Sequence, residues 1–102
     1  PKRRKLNKNI VLAFYRLHQR GALLCRQFSS SEEAAQIGGN YIYFTVRDNT
    51  KFPTGVGRFL IENGLCEPSG DELFADTPQT FKAVERPIFE AFKEQFEAPQ
   101  HV

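Results

Sequence analysis

The first eight ionisable charges of this 102-residue chain are all positive: Lys2, Arg3, Arg4, Lys5, Lys8, Arg16, Arg20 and Arg26. The first acid is Glu32. Residues 1–31 therefore carry a formal +8, and residues 32–102, with six Lys or Arg against all twelve acids, carry −6. The overall +2 hides this division. A segregated positive potential attracts anions, chiefly nucleic acid or an acidic protein face. Lysine and arginine neutralise phosphates and release counterions, giving salt-sensitive binding that is largely independent of sequence. Lys5, Lys8, Arg16, Gln19 and Arg20 fall along one side of a helix, and Lys2-Arg3-Arg4-Lys5 continues that charge as an arm able to enter a minor groove. The same four residues match a nuclear-import cluster. The plain alternative is a solvated helix face behind a solubilising tail.

Other chemistry is poorly supplied. His18 and Cys25 are seven positions apart across Gly21, which fixes no nucleophile–base pair. Two cysteines forty-one positions apart fall short of a zinc ligand set. Asp71, Glu72 and Asp76 have the acidity of ordinary turns. Gly55-x-Gly57 lacks the third glycine of a dinucleotide fingerprint, and there is no phosphate-binding Gly-Lys-Ser/Thr loop. The expectation is a non-enzyme without cofactor or metal. Tyr41, Tyr43 and Phe44 would offer stacking rings to single strands, but core packing accounts for them better.

The length predicts one domain, and ten Phe without Trp or Met predict a core filled by phenyl rings. No apolar run reaches the roughly 20 residues that span a bilayer. No signal peptide is visible, so the expected setting is intracellular, with Cys25 and Cys66 as buried thiols.

The elements that must position the charges follow from periodicity. A basic arm covers residues 1–6, an α+β domain residues 7–96 and a tail residues 97–102. Asn7 or Asn9 caps a first helix whose stripe is Ile10, Ala13, Phe14 and Leu17, closed by Gly21. Ala22–Cys25 extends that helix or forms a short strand. Ser30 and Glu33 match a capping box for a short second helix ended by Gly38-Gly39. Tyr41–Val46 has strand composition, and Asp48-Asn49-Thr50 breaks it. A helix follows from Thr54 to Asn63, with Val56, Phe59 and Leu60 as its stripe. Leu65-Cys66-Glu67, a return segment Glu72-Leu73-Phe74, and Gln79–Val84 read as extended. A last helix begins around Pro87 and lines up Ile88, Phe89, Phe92 and Phe96 against Glu85, Glu90, Glu94 and Glu97. The fold expected is helices packed on a small antiparallel sheet.

The run Pro53-Thr54-Gly55-Val56-Gly57-Arg58-Phe59-Leu60-Ile61-Glu62-Asn63-Gly64-Leu65-Cys66-Glu67-Pro68 resembles part of the winged helix-turn-helix superfamily, in which a helix ending in Gly-Leu leads into a two-stranded wing. The wing would be Leu65–Val84, turning at Ser69–Asp71 or at Asp76-Thr77-Pro78. The resemblance favours DNA over RNA without excluding RNA, and implies a regulatory or accessory role and a recognition helix whose Thr54 and Arg58 sit nearest the groove with Lys51 close by. Gly55 and Gly57 would let a phosphate approach the helix amides, or simply permit close packing. The chain departs from the superfamily pattern by placing a strand, Tyr41–Val46, between the second and third helices. A second class of function remains open: an adaptor or inhibitor docking an acidic partner on the basic face. The basic front and acidic rear would also allow homo-oligomers.

Overall fold

In a computed structural model, the structure describes residues 5–46, 50–69 and 79–98. The return segment Glu72-Leu73-Phe74 and the turns around Gly70 and Asp76 lie outside them, as do Lys2, Arg3 and Arg4. The order is α1 (Lys8–Arg20), β1 (Leu24–Phe28), α2 (Glu32–Gln36), β2 (Tyr41–Thr45), β3 (Thr50–Lys51), α3 (Thr54–Glu62), β4 (Cys66–Pro68), β5 (Gln79–Ala83) and α4 (Arg86–Glu97). The protein is α+β, with an antiparallel sheet ordered β3-β2-β1-β5-β4.

Strand β1 is the centre of the sheet. Leu24 opposes Thr45 on one side and Phe81 on the other, and Arg26 opposes Tyr43 and Gln79. Directly opposed residues share a face. Leu24, Tyr43 and Phe81 therefore point together, into the core made with Phe14, Leu17, Leu60, Leu65 and Phe89. Ala22–Cys25 thus resolves as a turn and the start of a strand. The strand runs on through Arg26-Gln27-Phe28, where polar composition concealed it.

Each helix is fixed by local chemistry. Asn7 caps α1, its side chain accepting from the Asn9 amide at 2.7 Å. Gly21 ends α1 at φ 60°, the left-handed region open to glycine. The cap of α2 is Ser31 rather than Ser30, and its hydroxyl accepts from the Ala34 amide. The Ser30–Glu33 box is off by one position because Ser29 Oγ holds the Ser31 amide and sets the turn. Helix α3 ends in a Schellman motif: Gly64 N–H donates to Ile61 and Leu65 N–H to Leu60, with Gly64 at φ 71°. That motif delivers Leu65 to the core and starts β4.

Other assignments also differ from the sequence reading. Thr50 does not break a strand; Thr50 and Lys51 pair with Thr45 and Phe44 as the return arm of a hairpin. Ile88 is 53% exposed, off the line of buried Phe89 and half-buried Phe92 and Phe96. Leu6, assigned to the arm, is 5% exposed and belongs to the core. Glu97, assigned to the tail, is the last residue of α4 and accepts a hydrogen bond from Leu6.

Candidate nucleic-acid interface

Lys8, Leu12, Arg16 and Arg20 recur every four residues along α1, so they form one slowly turning exposed line. The buried residues Phe14 and Leu17 define the opposite side. Across from the line stands the β2–β3 hairpin. Between them is a groove of about 390 Å3 that brings Arg16 and Arg20 together with Lys51. Its floor is apolar, from Leu12, Ala13, Leu17 and Phe52. Pro53, the N-cap of α3, also lines it, placing the positive end of that helix dipole at the margin.

The two halves of the chain treat their cations differently. Beyond residue 31, every Lys or Arg among the described residues has an acid: Lys51–Glu33 at 3.2 Å, Arg58–Glu62 at 3.0 Å, Lys82–Glu67 at 4.0 Å, Arg86–Glu90 at 3.1 Å and Lys93–Glu97 at 3.0 Å. Lys8, Arg16 and Arg20 make no ion pair with any described residue. Arg26 takes no part in this surface. Its Nε donates to Gln79 Oε1 at 2.6 Å, and its guanidinium lies over the rings of Tyr41 and Phe81. Lys5, just before α1, is near the end of α4, where the Leu6 amide, then Lys93 and to a smaller degree the Lys5 charge act on Glu97.

The residues expected on a recognition helix are placed otherwise. Thr54 is 5% exposed, and its methyl packs near Gly38, so it presents nothing to a groove. Its Oγ1 has no hydrogen-bond partner among the described residues. Arg58 bridges elements, donating from Nε to Glu62 and from Nη1 to the Ile37 carbonyl at 3.2 Å. A Cβ on Gly57 would stand 2.7 Å from the ring of Tyr43, so close packing accounts for that glycine. Gly55 is exposed, with only the Ile37 side chain near it.

The strand aromatics divide in the same way. Tyr43 is buried, and its hydroxyl donates to the Gly38 carbonyl at 2.9 Å. Burial raises its pKa, with smaller opposing effects of nearby charges. Tyr41 stacks under Arg26 and meets Phe28 edge-on at 6.4 Å. The cation accompanying this ring comes from the neighbouring strand, a relationship hidden in linear order.

Little else is equipped for chemistry. His18 stacks beside Phe14, at 6.0 Å between centroids. Cys25 and Cys66 are free and buried. Burial pushes the Cys66 thiol up to about 12 and raises that of Cys25. Among the described residues no cluster of His, Cys, Asp or Glu could hold a metal ion, and no helix is long and apolar enough to cross a membrane. Asp71, Glu72 and Asp76 lie outside the described residues.

The position of Lys51 opposite α1 is the part of the site that sequence reasoning missed. The signal was present: Asp48-Asn49 lies between a β-prone run and Thr50-Lys51-Phe52, a hairpin pattern. No family model matches the chain, and no curated protein or solved structure is significantly similar to it.

Proposed function

We propose that this chain is a small DNA-binding protein, regulatory or accessory, that grips the phosphate backbone with the exposed line of α1. Lys8, Arg16 and Arg20 hold phosphates, and the Lys2–Lys5 segment extends the same charge. The observation that carries this reading is the partition of ion pairs. The rear half neutralises its own cations, whereas three cations along one face of α1 have no acid among the described residues. Unpaired cations spaced along a helix repel one another, and a polyanion relieves that repulsion.

The preference for DNA over RNA rests on the resemblance to winged helices, supported here by a helix that passes through a Gly-Leu step into an antiparallel pair. With Thr54 buried and Arg58 tied to Glu62 and Ile37, the contacts are to phosphates, which orient a protein without reading bases. Such a role belongs inside a cell, a setting that also suits two free thiols.

One observation favours a second reading. Leu12 is 53% exposed in the middle of the cationic line. An apolar residue framed by cations suits the docking of an acidic protein. The acidic outer face of α4 would let a second copy play that part.

The test is binding to a labelled random-sequence duplex between about 50 and 200 mM salt, the range over which a protein with several phosphate contacts loses most of its affinity. Arg16→Glu with Arg20→Glu should weaken binding to all sequences alike. Full affinity of that variant at moderate salt sinks the nucleic-acid reading. The arm is best tested by neutralising Lys2, Arg3 and Arg4, since deleting residues 1–8 would also remove the buried Leu6 and the Asn7 cap.

A further inference from the structure

The groove beside α1 has a feature that phosphate binding does not use. A phosphate backbone needs cations, but not the apolar floor of Leu12, Ala13, Leu17 and Phe52 beneath Arg16, Arg20 and Lys51. We propose that the groove is a binding site for a small amphipathic anion, an aromatic or short aliphatic body bearing one phosphate or carboxylate group.

Three properties specify that ligand. The volume, about 390 Å3, lies in the range of about 300–1,000 Å3 typical of small-molecule sites. The floor is apolar and partly open: Leu12 is 53% exposed, although its neighbours on α1 at Ala13 and Leu17 are covered to a greater degree. A flat apolar body laid there removes Leu12 from water. The rim carries three cations, and no acidic side chain lines the groove among the described residues. Arg16 and Arg20 make no ion pair with any described residue, which leaves their guanidinium forks to a phosphate or carboxylate. Lys51 is engaged with Glu33 at an exposed site, a weak pair that an incoming anion can share. A purely apolar ligand leaves the guanidinium groups unsatisfied, and a bare anion leaves the floor wet. Only a molecule with both parts uses both surfaces.

The inference needs the groove alone and stands apart from the nucleic-acid reading, whose failure would show in the salt series with DNA. The probe is 1-naphthyl phosphate, titrated into the 15N-labelled full chain beside 1-naphthol and inorganic phosphate. Naphthyl phosphate should give saturable amide shifts at Leu12, Ala13, Ala22, Thr45 and Phe52. It should bind at least about tenfold tighter than either fragment, the scale expected when hydrogen bonds to charged groups are added to apolar burial. Arg16→Ala with Arg20→Ala should weaken it by about tenfold or more. Leu12→Glu, at an exposed position that leaves the core intact, should do so as well by setting a carboxylate on the floor. The proposal is overturned if naphthyl phosphate binds no tighter than inorganic phosphate or naphthol. It is equally overturned if the shifts fall outside the groove, or if both variants keep wild-type affinity.

Discussion

The Leu6 amide donates to Glu97 Oε2 at 2.9 Å across 91 positions of sequence. This bond ties the approach to α1 to the last turn of α4. Leu6 is buried beside it, and Lys93 supports the same carboxylate at 3.0 Å. The cationic face of α1 is therefore held at its start by a residue that also belongs to the core.

The first prediction concerns pH. The Leu6 amide, and after it Lys93, hold the Glu97 carboxyl below its ordinary value. A carboxyl depressed in the folded state stabilises the fold above its unfolded pKa. That contribution is lost as pH falls through the folded value. Urea unfolding across acid pH should show stability dropping as pH falls from the ordinary glutamate pKa. In Glu97→Gln that acid limb should be shallower, with stability at neutral pH reduced toward the wild-type acid value. Leu6→Ala should cost about 2 kcal/mol or more at all pH values, as buried leucines do.

The two glycines of α3 should respond oppositely. Gly57→Ala drives a Cβ to 2.7 Å from two atoms of the Tyr43 ring. That ring is buried and anchored through its hydroxyl to Gly38, so it has little room to yield. The expected loss is about 1–3 kcal/mol, the cost of overpacking. Gly55→Ala meets only the Ile37 side chain at 3.6 Å, an ordinary contact. It should be neutral or gain up to about 1 kcal/mol from helix propensity. Thermal melts of the two variants check the difference in sign.

The contrast also shows what was legible in the sequence. The helices were readable because their signals are local: Asn7 and Gly21 bound α1, and Gly64-Leu65 closes α3. The charge partition was likewise visible in linear order. What stayed hidden depends on partners distant in sequence. Arg26 counted among the eight leading cations, but Tyr41 and Phe81 draw it to the sheet. Thr54 looked exposed on a helical wheel, yet Gly38 admits its methyl into the interior. Lys51 was expected beside Thr54 and Arg58, and only the hairpin register sets it across from Arg16 and Arg20.

The core should show a measurable ring coupling. Phe14 and Phe89 are both fully buried and stack at 4.0 Å with planes 7° apart. Tyr15 meets Phe89 edge-on at 5.4 Å, and the Arg86 guanidinium covers Tyr15. Either Phe→Ala change should cost about 3–5 kcal/mol. Phe→Leu changes are gentler, and a double-mutant cycle built from them should return a coupling of about 0.5–1.5 kcal/mol. Denaturant midpoints at constant slope give these values.

Thiol chemistry offers a probe of opening. Only the thiolate reacts with alkylating reagents. Cys66 is buried, and its pKa stands at about 12. Iodoacetamide at pH 8 should therefore label neither Cys66 nor the buried Cys25 in the folded chain. Labelling should accelerate with urea in step with unfolding. Rapid labelling of Cys66 without denaturant would mean that the β4–β5 edge opens by itself.

Arg58 separates structure from binding. Its guanidinium holds the Ile37 carbonyl at the end of α2 and Glu62 on α3. Arg58→Ala removes both contacts. Both contacts are exposed and water can replace them, so the loss should be at most about 1 kcal/mol. Binding to duplex DNA should keep its salt slope, because the guanidinium is occupied within the fold. Arg16→Ala and Arg20→Ala should do the reverse. Each leaves the melting temperature nearly unchanged and lowers the slope of log affinity against log salt by about 0.9, one phosphate contact apiece. If Arg58→Ala lowers the slope as well, α3 reaches the backbone, and the interface extends beyond α1 onto the helix that the sequence first suggested.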